Sequence, residues 1–134
     1  MYAAEELADA LAERLSPVFA AAELTATQFN VLYMLIEDGP MRLSELAKHQ
    51  RCVKSNVSYL TRAMLREGLI ELSSSEDDGR ARVISASKLG QRRYAVAKAA
   101  AQKIENAVRR ALGAQATAEL ERACLEAAAA LDSL

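Results

Sequence analysis

Between residues 41 and 90 the chain sets out segments in an order that few folds accept. A helix-sized stretch from Leu43 to Gln50 is followed by a short break and a second stretch from Lys54 to Glu67. An apolar exit, Gly68-Leu69-Ile70, leads to a polar hairpin tip, Glu76-Asp77-Asp78-Gly79-Arg80-Ala81-Arg82. Two short helices and a basic-tipped β-ribbon are the parts of a winged helix-turn-helix. Such a unit lays its second helix in a DNA major groove and its ribbon on the flanking backbone. The expected fold is therefore mainly α with a small β-wing: a winged helix-turn-helix with N- and C-terminal dimerisation helices.

The flanks read as helices. Leu7, Leu11 and Leu15 recur every four residues over 4–15, up to Pro17, which is expected to bend or end that helix. Residues 26–37 follow a capping box, Thr25 with Gln28 three later, and stop at Asp38-Gly39-Pro40. Phe29, Leu32, Leu35 and Ile36 are its expected buried stripe, with Val31 and Met34 at the edges. Met41-Arg42-Leu43 is short and extended, and Ser44 is expected to cap the helix after it. Leu69–Leu72 and Ala81–Ser85 read as paired strands. A long helix over 88–112 ends at Gly113, and a last one spans about 116–132, with Leu120, Ala123, Cys124, Ala127, Ala128 and Leu131 on one face. These terminal helices carry apolar stripes with no sheet to cover them. A two-fold dimer layer is the economical answer, and a monomeric helical cap the alternative. The expected division is a DNA-binding lobe over 24–90, with 1–23 and 91–134 as the helical layer of one continuous domain.

Charge agrees with this division. The net charge is only -1, yet residues 41–98 hold 12 Lys/Arg against 6 Asp/Glu, and the rest hold 5 against 12. Phosphates feel local charge, because screening acts within about 8–10 Å at physiological salt. No apolar run approaches the roughly 20 residues of a membrane span, and the start of the chain is acidic, so a cytoplasmic protein with no membrane partner is expected. Cys52 and Cys124 are far apart, and His49 is the only histidine. That set composes neither a metal site nor a catalytic triad. No enzyme, cofactor or metal is expected.

Several blocks together resemble the MarR family of bacterial transcription regulators. Leu24-Thr25-Ala26-Thr27-Gln28-Phe29-Asn30-Val31-Leu32 looks like the family's "L-T-x-x-Q-F-x-V-L", and Leu43-Ser44-Glu45-Leu46-Ala47 like its "L-x-E-L-A". Val57-Ser58-Tyr59-Leu60 through Leu65-Arg66-Glu67-Gly68-Leu69-Ile70 is similar to its recognition helix and exit, Asp78-Gly79-Arg80 to the wing "D-x-R", and Lys88-Leu89-Gly90 to the start of its long helix. The blocks fall in order without gaps over residues 5–132. Arg51 replaces the family's turn glycine, Val53 its polar cap, and Ala86-Ser87-Lys88-Leu89-Gly90 its "L-T-x-x-G". The resemblance implies a homodimer bound to pseudo-palindromic double-stranded operators, with repression relieved by a small ligand or by thiol oxidation.

On this reading the helix 54–67 enters the major groove and the wing 73–85 meets the minor groove or backbone. Ser55, Asn56, Ser58, Tyr59 and Arg62 reach base edges or nearby phosphates. Asn suits adenine N6/N7 and Arg suits guanine O6/N7. Lys48, Arg51 and Lys54 hold phosphates at the turn. Arg80 and Arg82 belong to the wing, where the resemblance makes Asp78 and Arg80 a stiffening pair. The bland alternatives are a locally bonded Asn56, an ion-paired Arg62 and a merely charged hairpin. An aromatic effector would meet Phe29, Tyr33 and Tyr94, although that spacing also suits core packing. Two other functions compete: a winged-helix protein-interaction module that has lost DNA binding, and a thiol sensor acting through Cys52, which otherwise reads as a small buried hydrophobe. Cys124 is expected in a dimer core.

Overall fold

A computed structural model describes residues 1–49, 54–74 and 82–134, with the backbone alone for Lys54 and Ser55. Arg51, Cys52, Val53, Asp78, Gly79 and Arg80 lie outside the described residues. The elements run α1 (Tyr2–Ala21), α2 (Ala26–Glu37), β1 (Met41–Arg42), α3 (Leu43–His49), α4 (Lys54–Arg66), β2 (Ile70–Ser74), β3 (Arg82–Ala86), α5 (Lys88–Leu112) and α6 (Ala114–Asp132). By compactness the chain divides into residues 1–99 and residues 100–134. α1 and the N-terminal part of α5 group with the helix-turn-helix elements.

α1 passes through Pro17, so of the bend or end expected there the end does not occur. The missing N–H removes one helical bond, but burial of Phe19 in the last turn holds the helix beyond it. The helix then closes in a Schellman arrangement. Leu24 N–H donates to Phe19 O and Glu23 N–H to Ala20 O, each at 2.9 Å. Its left-handed position is held by Glu23 at φ 57°, where glycine is usual.

The capping box of α2 forms as the sequence predicts. Gln28 N–H donates to Thr25 Oγ1 at 3.1 Å, and Thr25 N–H to Gln28 Oε1 at 3.0 Å. Its buried stripe is turned slightly from expectation: Gln28, Val31, Leu32, Met34 and Leu35 are buried, and Phe29 and Ile36 half-buried. Phe29 instead stacks between Phe19 and Tyr94, with ring centroids 4.5 and 5.2 Å apart.

The sheet is antiparallel, in the order β1-β3-β2. Met41 and Leu72 face Ile84 from the two sides, and Ile70 pairs with Ala86. Met41, Ile70 and Ile84 enter the core with Leu32, Leu46, Val57, Met64 and Leu69. β2 begins one residue later than the apolar run suggests, because Leu69 is wholly buried at the helix exit before pairing begins. α3 begins at Leu43, so Ser44 lies inside its first turn rather than at its cap.

A dense joint links the wing base to α5. Ser87 Oγ donates to Gly68 O at 2.5 Å and accepts from Gly90 N–H at 3.0 Å, while Ser87 N–H donates to Leu69 O at 3.0 Å. Ser87 thus caps α5 through its third residue. Gly90 lies so close to this joint that a Cβ there would stand 2.1 Å from Leu69 O. On α5, Tyr94 and Ala97 are buried, whereas Val96 is 60% exposed.

Within residues 100–134, Gly113 at φ 82° separates α5 from α6. Arg109 spans the hairpin, pairing with Glu105 and Glu121. Of the apolar face expected on α6, Leu120, Ala123, Cys124, Ala127 and Leu131 are exposed and Ala128 half-buried; only Thr117 is buried. Among the described residues no single helix is long and apolar enough to cross a membrane.

Candidate nucleic-acid interface

α4 divides cleanly along its length. Val57, Thr61 and Met64 are buried, and the Thr61 hydroxyl is satisfied by Val57 O at 2.6 Å within the same helix. Asn56, Tyr59, Arg62 and Arg66, spaced three or four apart, are exposed on the other side. Tyr59 is 68% exposed, a large ring left in solvent. Ser58 is half-buried, and Lys54 and Ser55 belong to the first turn. α4 carries Lys54, Arg62 and Arg66 and no acidic residue.

Lys48 is exposed in the last turn of α3, beside His49. Arg82 is exposed at the start of β3. Arg42, Lys48, Arg62, Arg66 and Arg82 form no ion pair with another described residue. The ion-paired alternative for Arg62 therefore finds no described partner; its Nε makes only a long 3.4 Å contact with Ser58 O. The remaining expected residues, Arg51 and Arg80 with its wing partner Asp78, fall outside the described residues.

Two cations of the basic segment are already occupied. Arg93 pairs with Glu23 at 3.4 Å, and Lys98 with Glu37 at 2.6 Å. Glu37 also accepts from the Tyr94 hydroxyl at 2.9 Å, and Lys98 lies 5.7 Å from the Tyr94 ring centroid. The hydrogen bond from Lys98, then that from Tyr94, holds the Glu37 carboxyl below its ordinary range. Burial, then the Glu37 carboxylate, pushes the Tyr94 phenol well above its ordinary range. Of the three aromatics expected to line a ligand cleft, Phe29 and Tyr94 are thus bound into a ring stack, and Tyr33 is 50% exposed. An open cavity of about 480 Å³ lies elsewhere, lined by Glu23, Thr25, Gln28, Glu67 and Arg93 among others. Among the described residues no three His, Cys, Asp or Glu side chains are grouped to hold a metal.

Sequence reasoning missed two links. One is Glu37 with Tyr94 and Lys98. The other is Gln28 Nε2, which donates to Glu67 Oε2 at 2.7 Å across 39 residues. The capping box flagged Gln28, but nothing local reports a partner so distant.

Comparison with known proteins agrees with this architecture. Residues 24–81 match the MarR family model. AbsC, a MarR family transcriptional regulator from Streptomyces coelicolor, is 22% identical and superposes with a TM-score of 0.86, covering 99% of this chain and 92% of that one. NadR in complex with 4-hydroxyphenylacetate is 18% identical, with a TM-score of 0.82 and coverage of 95% and 90%. A MepR mutant from S. aureus bound to oligodeoxyribonucleotide is 17% identical, with a TM-score of 0.66 and coverage of 97% and 96%. A search of curated protein sequences gave no match. The MarR resemblance of the sequence therefore holds, and the fold is that of the MarR winged-helix regulators.

Proposed function

Starting from this MarR-type winged-helix fold, we propose that the chain is a homodimeric transcription regulator, a repressor, that binds pseudo-palindromic double-stranded DNA. The carrying observation is the division of α4: Val57, Thr61 and Met64 anchor it, while Asn56, Tyr59, Arg62 and Arg66 stand exposed. Such a helix presents base-reading groups without weakening its mount. Ser55 and Ser58 extend the same contact, and Lys48, Arg51 and Lys54 supply phosphate contacts at the turn. Arg80, stiffened by Asp78, and Arg82 place the wing on the flanking backbone or minor groove. The oligodeoxyribonucleotide bound by the MepR mutant supports this reading.

The uncovered leucines of α6 support the dimer, since Leu120 and Leu131, on one face, are 36% and 64% exposed in the single chain. An exposed apolar row of this kind is ordinarily buried by a partner. The aromatic acid held by NadR supports an aromatic effector. Tyr33 is the exposed aromatic of the expected set and the one available to touch it.

Duplex binding across a salt series tests the reading. Binding should weaken steeply with salt, and Lys48→Ala should reduce the log–log slope by about one. A chain that binds no duplex at low salt would instead be an interaction module.

A further inference from the structure

Glu67 stands where a helix disfavours it. α4 ends at Arg66, and Glu67 is the capping residue after it, at the negative end of the helix dipole. The closure around it is a second Schellman arrangement: Leu69 N–H donates to Met64 O at 2.9 Å and Gly68 N–H to Leu65 O at 3.1 Å. This needs no carboxylate. A residue that breaks a local preference in an otherwise consistent element points to another use.

That use is visible in its partner. Glu67 Oε2 accepts from Gln28 Nε2 at 2.7 Å. Gln28 is only 7% exposed, and its Oε1 is engaged by Thr25 N–H. The amide is held at both ends and has no freedom to turn. Glu67 is thereby tied to the first turn of α2, whose next turn, Val31 and Leu32, lies in the core. On the other side Ser87 holds the neighbouring Gly68 carbonyl. Beside the Gln28–Glu67 pair lies the open cavity, so packing there does not back up the hydrogen bond.

We infer that Gln28 and Glu67 are positioning residues for α4. Their hydrogen bond, together with the Ser87 contact, fixes the angle at which Asn56, Tyr59 and Arg62 meet a duplex. The inference rests on the DNA-binding reading and adds to it which residues set base discrimination. Phosphate attraction tolerates small changes of angle, whereas base-edge hydrogen bonds do not. The tie therefore acts on specificity more than on total affinity.

The test compares Glu67→Ala with Glu67→Gln. Both remove the same negative charge, but only the second keeps an acceptor for Gln28. The probes are a duplex selected from genomic fragments by the wild-type protein and a random duplex of equal length. Binding is measured at 25 °C, with circular dichroism to show that each variant is folded. The ratio of selected to random affinity should be about 5- to 10-fold lower in Glu67→Ala than in Glu67→Gln, the worth of one neutral hydrogen bond. Glu67→Gln should lie between Glu67→Ala and wild type, because it keeps an acceptor for Gln28 but not the charge. Random-duplex affinity should be alike in the two variants. A second arm exchanges the pair: Gln28→Glu alone sets two carboxylates together and should lower the ratio, and adding Glu67→Gln should restore it. Equal ratios for the two neutral variants, with no recovery in the exchange, overturn the assignment. A wild-type protein that binds neither duplex overturns the DNA-binding reading and this inference with it. One that binds both duplexes equally retains DNA binding but loses this inference.

Discussion

Replacing Gly90 by alanine is the most demanding test of the packing described above. The added Cβ would stand 2.1 Å from Leu69 O, 2.9 Å from Leu32 Cδ2 and 3.1 Å from the Leu69 carbonyl carbon. The leucine side chain can turn, but the carbonyl belongs to the backbone, between the end of α4 and β2. Real carbon contacts rarely fall below 3.4 Å, so α5 must recede by about 1 Å. That movement stretches the Ser87 bonds to Gly68 O and Gly90 N–H, now 2.5 and 3.0 Å long. Overpacking costs about 1–3 kcal/mol and each weakened buried hydrogen bond about 1 kcal/mol. Alanine recovers about 0.5–1 kcal/mol through its better helix propensity. The net expectation is a loss of about 3 kcal/mol, which lowers Tm by roughly 10 °C for a chain of this size. Thermal unfolding at fixed protein concentration measures it, since any dimerisation makes Tm concentration-dependent. Gly68→Ala is the control. There φ is +75° but the nearest neighbour of an added Cβ, Leu89 Cδ2, is 3.9 Å away, so backbone strain alone should cost about 1–2 kcal/mol. A Gly90→Ala protein within about 1 kcal/mol of wild type would refute the claim that α5 is seated against the Leu69 backbone.

Glu23→Gly should raise stability by about 0.5–1 kcal/mol in chemical denaturation, because relief of the left-handed strain exceeds the loss of an exposed pairing with Arg93. Glu37 should shape the acid limb of the stability profile. Its folded carboxyl is held below the ordinary value of 4.5, so the unfolded chain takes up the proton first. Its stabilisation is complete above that value and is lost as pH falls through the lowered folded value. Denaturation melts at stepped pH should therefore show Glu37→Gln less stable than wild type near neutrality, with the gap closing as pH falls below 4.5. A gap that is constant with pH would refute the ionic role of Glu37.

The helices were legible because their signals are local. Thr25 and Gln28 announce the start of α2 three residues apart, and both bonds of that capping box form. Val57 and Met64 mark the buried side of α4 by spacing alone, which leaves Tyr59 and Arg62 outward. Signals failed where a distant contact decides the outcome. Pro17 reads as a bend or an end, yet the helix runs past it to the buried Phe19. Val96 fits an apolar period but faces solvent, since the core side of α5 is fixed by Tyr94 and Ala97. The ties from Gln28 to Glu67 and from Tyr94 to Glu37 span 39 and 57 residues, beyond the reach of any window.

The pairing of Arg93 and Lys98 has a thermodynamic corollary. A cation that docks on a phosphate gains mainly by setting free the small ions condensed along the nucleic acid. These two side chains already face carboxylates of their own chain, Glu23 and Glu37, so they enter any encounter partly neutralised. The dependence of binding on ionic strength should therefore count cations such as Lys48, Arg62, Arg66 and Arg82, which pair with no described carboxylate, and fall short of what the basic segment's full complement would suggest.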